Sequence, residues 1–303
     1  MATIDLNQIN YSITKEGRTV MRTLAGVIVL YNPVIQDIKD NINSYIDDLN
    51  VLYCIDNSSE NQLAVKQIIS ELSSKIQYLS NNGNIGLSRA LRQGCRLAEK
   101  AGYSHVLLLD QDSYFDTDAL HTMRKYIEKS CEYALYAPCI KTIYRNAEGA
   151  RIFSDEIYYG ILGNGISSIK YAITSGSVVN LKIYGMTGKF DKKLFIGQID
   201  NDYCCRLQKL GYKIARINEA YMYQELGNTK IVKLGKRKLH IPNLNPSRYY
   251  YLFRNERYLR KKNGKSYSDY QVKLYKYLIS ILFFEKEKIK KLYCCLRGWM
   301  TRL

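Results

Sequence analysis

The sequence predicts an α/β fold in which a parallel sheet is covered on both faces by helices, and three observations lead there. Short, continuously apolar, β-branched runs recur through the first half of the chain. Stretches with apolar residues at helical spacing separate them, which is the pattern of strands buried on both faces and joined by crossover helices. Each run also ends in a polar segment, and in such sheets ligands sit at the carboxyl ends of the strands.

The strand candidates are residues 26–31 (GVIVLY), 51–55 (VLYCI), 76–79 (IQYL) and 106–109 (VLLL). Helical periodicity covers 34–49, 61–73 and 87–100, the last (LSRALRQGCRLAEK) opened by a glycine-containing loop. The four exits read Tyr31-Asn32-Pro33, Asp56-Asn57-Ser58-Ser59, Asn81-Asn82-Gly83-Asn84-Ile85-Gly86 and Asp110-Gln111-Asp112-Ser113. Any one of them is ordinary turn chemistry. Four on consecutive strands, two of them acidic, point to a site. The third loop leads into a helix whose free N–H groups suit an anion. It matches neither the G-x-x-x-x-G-K-[ST] phosphate loop nor the G-x-G-x-x-G dinucleotide fingerprint, which weakens kinase-like and dehydrogenase-like readings.

In LLLDQDS an apolar strand ends in Asp110 and Asp112, two positions apart. In extended chain, residues i and i+2 face one side, so both carboxylates can address one hard cation such as Mg²⁺ or Mn²⁺. The bland alternative is an acidic turn that caps the next helix through Asp116 or Asp118. A second acidic cluster, FIGQIDNDYCCRL, puts Asp200 and Asp202 at the start of another helix. There Asp200 is an N-cap, a general base toward an alcohol, or both.

Composition bounds the remaining possibilities. The chain has 303 residues, 46% hydrophobic and 24% charged with only 4 prolines, enough for a sizeable core. Its formal charge is +17, and from Gly227 onward 20 Lys/Arg face 4 acids, against 25 and 24 before it. A basic block of this kind asks for an anionic partner. Eight cysteines without a C-x-x-C spacing (Cys54, Cys95, Cys131, Cys139, Cys204, Cys205, Cys294, Cys295) read as reduced, mostly buried thiols rather than a zinc ribbon. The N-terminus MATIDLNQIN lacks the pattern of a signal peptide, and the apolar run 277–284 is too short to span a bilayer. The expectation is a cytoplasmic protein, peripheral at most on the inner face of the plasma membrane.

Taken in order, GVIVLYNP, CIDNSS, NNGNIGLSRAL, LLLDQDS, TSGSVV, GKFDKKLFIGQIDNDYCCRL and SRYYYLFRN resemble the inverting nucleotide-sugar glycosyltransferases of family two, specifically bacterial rhamnosyltransferases of polysaccharide assembly. The resemblance spans roughly residues 24–262. It implies a GT-A, Rossmann-like mixed sheet flanked by helices over 1–226, followed by a basic, mostly helical extension over 227–303.

Carried over by position, the resemblance implies that Tyr31, Pro33, Asp56 and Asn57 line the base pocket, with Asn84 and Gly86 near the nucleotide. Asp110 would meet the ribose or sugar-phosphate and Asp112 the divalent metal, with Ser175 and Gly176 beside the sugar and acceptor. Asp200 would be the base, supported by Asp202 and Arg206. The implied reaction is direct displacement, a β-linked dTDP-L-rhamnose giving an α-rhamnoside on a glycan acceptor, lipid-linked, in surface polysaccharide or O-antigen synthesis. Three positions depart from the family. Gln224 stands where relatives carry a metal-ligating His, Arg92 where an Asn is common, and Gly197 where an Asp precedes the base. A different donor, such as a UDP-linked hexose, stays open. His105, His121 and His240 match no catalytic position and read as structural.

Beyond Gly227, tyrosines interleaved with arginines allow a nucleic-acid or scaffold-binding reading. Against it, Leu274, Tyr277, Leu278, Ile281, Leu282 and Phe284 recur at helical spacing with lysines elsewhere around the helix. That suits a basic amphipathic helix on an acidic membrane or one packed on the core, so no nucleic acid is expected.

Overall fold

A computed structural model describes residues 11–13, 19–21, 24–130, 132–145, 150–160, 163–225, 227, 229–234 and 237–303. Residues 1–10 and Cys131 lie outside them, as does the side chain of His240. Two short strands, β1 (Tyr11–Ile13) and β2 (Thr19–Met21), pair antiparallel ahead of the main sheet.

The parallel half follows the sequence pattern closely. Strands β3 (Leu24–Leu30), β4 (Val51–Asp56), β5 (Ile76–Ser80) and β6 (His105–Asp110) lie in the order β6-β3-β4-β5, all parallel. Every residue of β3 and β4 is buried, as two-sided coverage requires. The crossovers are helices α1 (Ile35–Asn43), α2 (Gln62–Leu72) and α3 (Leu87–Lys100). Helix α1 stops six residues short of its expected end. Ser44 turns the chain, its Oγ donating to Asn41 O at 2.7 Å, while Tyr45, Ile46 and Leu49 still enter the core. A turn that keeps the i, i+1, i+4 spacing of buried residues is indistinguishable from a helix by periodicity alone.

The second half supplies the antiparallel strands. After β7 (Tyr114–Phe115) and α4 (Ala119–Lys129) come β8 (Tyr133–Arg145), β9 (Arg151–Tyr159), β10 (Ile166–Ile169) and β11 (Val178–Asn180). Strand β11 runs antiparallel between β6 and β8. Helices α5 (Leu181–Thr187) and α6 (Ile199–Lys209) precede β12 (Lys213–Glu225), which pairs parallel with β8 and antiparallel with β10 and β7. The sheet is therefore mixed, ten strands in all, with helices on both faces. One core lies under α3, α5 and α6, the other under α1, α2 and α4. Each fully buried Val, Leu or Ile there contributes about 1.5–3 kcal/mol.

The chain ends in a hairpin, β13 (Lys230–Leu234) with β14 (Arg237–Ile241), then α7 (Pro246–Asn263), a 3₁₀ segment (Gly264–Tyr270), α8 (Leu274–Phe284) and α9 (Lys288–Met300). Helices α7, α8 and α9 share a small core of Tyr249, Phe253, Ile281 and Cys295. Beneath it the Glu285 carboxylate is fully committed. It accepts from Tyr249 Oη at 2.6 Å, Ser280 Oγ at 2.7 Å and Lys291 Nζ at 2.7 Å, so the buried charge is paired and hydrogen-bonded. The seven described cysteines are free thiols, all buried except Cys294, which is partly so. No helix among the described residues is long and apolar enough to cross a membrane.

Candidate active site

The carboxyl ends of β3, β4, β5 and β6 open into one cleft of about 970 Å³, lined among others by Tyr31, Pro33, Asn57, Asn84, Asp110 and Asp112. Hydrogen bonds between exits fix its floor. Tyr31 N–H donates to Gln111 Oε1 at 2.8 Å, and Asn81 Nδ2 donates to Asn57 Oδ1 at 2.9 Å. Asn84 Oδ1 accepts from Gly86 N–H at 2.9 Å, an Asx turn that launches α3.

Asp56 does not reach this cleft. It is fully buried, accepting from Ser58 N–H at 2.8 Å and Tyr78 Oη at 2.5 Å, so it shapes the turn that presents Asn57. Gly86 sits behind the wall with φ 91°, where a Cβ would fall 2.6 Å from Phe195 Cδ2. Ser175 lines the cleft and shares a 2.7 Å hydrogen bond with Ser113 Oγ. Gly176 lies behind it, its N–H donating to Leu108 O at 2.7 Å.

Asp110, at the end of β6, accepts from Gln224 Nε2 of β12 at 3.1 Å. Burial raises its carboxyl above the usual aspartate value. The nearby Arg248 charge and the Gln224 amide oppose that rise, and the Asp200 charge adds to it. Asp112 is pushed up as well, first by burial and then by Asp110. An acid pair in which one charge favours protonation of the other also favours a cation between or beside the two. No side chain among the described residues donates a hydrogen bond to Asp112.

These residues fit a hard divalent ion. Mg²⁺ is commonly held by one or two carboxylates with the rest of its shell from substrate phosphates and water. Asp110 and Asp112 supply the carboxylates, and Gln224 has its amide oxygen left once its nitrogen has bonded Asp110. No group of three or more His, Cys, Asp or Glu ligands occurs among the described residues, so phosphate oxygens and water would complete the shell.

Across the cleft, Asp200 is the second residue of α6 rather than its cap, a place held by Gln198 at φ 60°. Its Oδ2 accepts from Tyr171 Oη at 2.6 Å and its Oδ1 from Asn201 N–H at 2.9 Å. Burial raises its pKa, and the Tyr171 hydroxyl, by bonding the charged form, pulls it back.

Asp202 and Arg206 do not line the cleft. Asp202 is buried in ion pairs with Arg206 at 3.0 Å and Lys262 at 2.8 Å, and Arg206 also donates to Thr187 O at 2.7 Å. They hold α6 against α7 and the segment after α5. Arg92 donates to Phe190 O at 3.2 Å, and Gly197 lines the cleft beside Asp200. His105 is buried in β6 and His121 pairs with Asp48 at 3.4 Å, and neither lines the cleft.

Several cleft residues escape sequence reasoning. Arg248 and Tyr251, one turn apart on α7, line the cleft from the C-terminal side, as do Tyr158 and Tyr159 from β9. Tyr251 stacks on Phe195 at 4.9 Å with planes 14° apart. Further along α7, Asn255 fills all four of its hydrogen-bonding places. Its Nδ2 donates to Ile196 O and Gly197 O at 3.0 Å each, and its Oδ1 accepts Arg254 Nε at 3.1 Å and Nη2 at 2.8 Å. Gln198 Nε2 donates to the buried Glu256 at 2.6 Å. The motif SRYYYLFRN thus braces the loop that carries Asp200. The available signal was the spacing of Arg248, Tyr251 and Asn255, which puts them on one face of a helix.

Comparison with known proteins agrees with this arrangement. Residues 27–176 match the family model Glycosyl transferase family 2. The chain is 25% identical over 253 residues to dTDP-rhamnosyl transferase RfbF of Shigella flexneri, covering 78% of this chain and 80% of that protein. Among solved structures, GalNAc-T7 with UDP, GalNAc and Mn²⁺ superposes with a TM-score of 0.55 at 13% identity, over 67% of this chain and 44% of that one. TarS 1-349 of S. aureus in complex with UDP superposes at 0.53 and 12% identity, over 90% and 69%. The chain thus spans less than half the length of the GalNAc-T7 chain, and these two likenesses concern the fold. A GT-A-type mixed sheet, the family match and a relative aligned over most of both chains together show that this chain carries a glycosyl transferase family 2 domain over residues 27–176.

Proposed function

We propose that the protein moves L-rhamnose from dTDP-L-rhamnose to a hydroxyl of a glycan acceptor, with inversion, in the assembly of a bacterial surface polysaccharide such as O-antigen. The observation that carries the reading is that Asp200 opens onto the same cleft as the Asp110–Asp112 pair. The donor is inferred from the likeness to the dTDP-rhamnosyl transferase RfbF.

In this mechanism Tyr31, Pro33 and Asn57 flank the nucleotide base, and Ser175 faces the sugar. Asp200 accepts the proton of the acceptor hydroxyl, held in place by Tyr171 and the Asn201 N–H. The acceptor oxygen forms its bond to the anomeric carbon as the bond from that carbon to the phosphate oxygen breaks on the opposite face. The leaving dTDP departs with the electron pair, and the proton passes from Asp200 to solvent. Arg248 offers its guanidinium to the diphosphate from α7. Mg²⁺ or Mn²⁺ held by Asp110 and Asp112, with the Gln224 oxygen, would neutralise charge on the diphosphate. The division into a catalytic unit over 1–226 and an extension over 227–303 belongs to the same proposal, the extension lending Arg248 and Tyr251 to the cleft.

The test is thermal-shift and donor-hydrolysis screening of the protein against dTDP-L-rhamnose, UDP-sugars and GDP-sugars, with and without Mg²⁺ or Mn²⁺. Stabilisation by dTDP-L-rhamnose above the others, enhanced by the cation, supports the reading. Preferential response to a UDP- or GDP-sugar overturns the donor assignment.

A further inference from the structure

Large apolar side chains left in solvent are concentrated in one place on this molecule. Among the described residues, more than half of them lie between Tyr275 and Leu303. Helix α8 turns Leu274, Tyr277, Leu278 and Ile281 inward, and leaves Tyr275, Ile279, Leu282 and Phe283 outside, Phe283 at 72% exposure. Helix α9 is seated on α7 by Leu292, Cys295 and Gly298, and a Cβ on Gly298 would collide with Tyr250 O. Its opposite face carries Ile289, Tyr293, Leu296 and Met300, with Ile289 at 86% exposure. Each set recurs at i, i+4, i+7 along its helix, so each forms one continuous stripe.

Exposed cations accompany the two stripes: Lys273, Lys276, Lys286, Lys288, Lys290 and Arg297. Glu287, 3.5 Å from Lys290, is the one exposed acid among residues 271–303. At the far end of α9, Arg257, Lys261 and Arg302 surround a separate cavity of about 310 Å³, with Trp299 and Leu303 exposed beside it. Arg257 donates to Trp299 O, and no acidic side chain lines this cavity.

We infer that the outward stripes of α8 and α9, with the basic cavity at the end of α9, dock the protein on an anionic lipid bilayer. Apolar and aromatic side chains enter the boundary between headgroups and acyl chains while lysines contact acidic headgroups. The cavity ringed by Arg257, Lys261 and Arg302 has the charge and size for a lipid phosphate. A second copy of the chain fits this surface poorly, because closing two such faces on each other would bring like charges together. Tyr277 of α8 lies within electrostatic reach of Tyr158 and Tyr159, which line the cleft. Helix α8 therefore approaches the cleft through its inward side while its outer side carries the stripe, and, resting on the transferase reading, a glycan carried on a lipid is the acceptor class.

Flotation of the full chain with phosphatidylcholine vesicles, alone or with phosphatidylglycerol, tests the proposal without donor or acceptor. Binding at least about tenfold stronger to the anionic vesicles, and released by high salt, is expected. Replacing Phe283→Glu with Ile289→Glu, both outside the packed core, should abolish flotation while leaving thermal unfolding and donor hydrolysis unchanged. Charge reversal at Lys288 and Lys290 should lower binding about tenfold or more. Absence of binding to anionic vesicles, or binding unaffected by both double variants, overturns the proposal. So does a stable dimer in sedimentation that the Phe283→Glu, Ile289→Glu protein cannot form. Because flotation involves no sugar donor, its failure leaves the transferase reading standing, and failure of that reading leaves flotation unaffected.

Discussion

Tyr171 donates a 2.6 Å hydrogen bond to Asp200, joining the segment before β11 to the first turn of α6. A hydroxyl held on the charged form of a partly buried acid lowers its pKa, against a burial effect that raises it. In the proposed mechanism Asp200 is the general base and must be ionised, so activity should fall as pH drops through its raised pKa. Tyr171→Phe removes the stabilising donor, raises that pKa further and moves the acidic limb of the pH–rate profile upward. Single-turnover rates measured across pH check the sign. A limb that stays put or moves down would remove Tyr171 from any role in tuning the base.

Asp200→Asn keeps the size and hydrogen-bonding reach of the side chain and loses its basicity. Turnover should fall by about 10²–10⁴, the usual worth of a positioned general base. Donor binding, read as stabilisation by dTDP-L-rhamnose, should persist because in the proposed mechanism Asp200 meets the acceptor. Loss of both together would assign the residue to donor binding instead.

The parallel strands, their crossover helices and the cleft's acids are legible in the sequence because buried parallel strands are apolar throughout and topology forces their polar exits together. Asp56 and Asp110 nevertheless end alike-looking strands with different fates, since only three dimensions bring Tyr78 and Ser58 onto Asp56. Asp202 likewise reads as a partner of Asp200, yet residues two apart on a helix differ by about 200° in direction, and it turns to Arg206 and Lys262. Arg248 is one of 20 Lys/Arg from Gly227 onward, and its helical spacing with Tyr251 and Asn255 sets them on one face without saying that this face meets the cleft. Tyr171 is similarly one of 28 tyrosines. Among the later strands, β8 carries its apolar run across Pro138, a residue that argues against a central strand, while β9 and β12 mix charged residues with apolar ones. Periodicity alone therefore outlines none of the three.

Asn255 holds the loop carrying Asp200 through two backbone carbonyls and is itself gripped by Arg254. Asn255→Ala would leave Ile196 O, Gly197 O and the Arg254 fork without their buried partner, costing about 1–3 kcal/mol of stability. Donor affinity should change little while kcat drops, since in the proposed mechanism the loop positions the base rather than the nucleotide. Denaturant unfolding and steady-state kinetics on one preparation separate the two effects.

Gly86 is the point where α3 begins behind the cleft wall. Leu87 N–H donates to Phe195 O at 2.7 Å, which draws the chain so close that a Cβ at Gly86 would lie 2.8 Å from that same oxygen. With φ at 91°, Gly86→Ala meets strain in addition to the clash. A loss of roughly 2–4 kcal/mol is expected from the two together, with Phe195 and its stacked Tyr251 displaced from the cleft. Circular-dichroism melting gives the first number, and a weakened response to donor reports the second.

Arg248 is held near Asp110 with no hydrogen-bonded acid of its own among the described residues, and burial lowers its pKa while the Asp110 charge raises it. A guanidinium so placed is available to a diphosphate, and Arg248→Gln should therefore raise the KM for donor about tenfold, the usual worth of one charge-assisted hydrogen bond. Asp112→Ala should act on the same diphosphate from the other side, removing the extra stabilisation that Mg²⁺ or Mn²⁺ gives the donor complex. In the double variant the two losses add if cation and arginine address separate phosphate oxygens, and fall short of additive if each compensates for the other. Donor titrations of the four proteins with and without the cation distinguish these cases. Unaltered donor affinity in Arg248→Gln would show that the guanidinium serves to balance the charge of Asp110 alone.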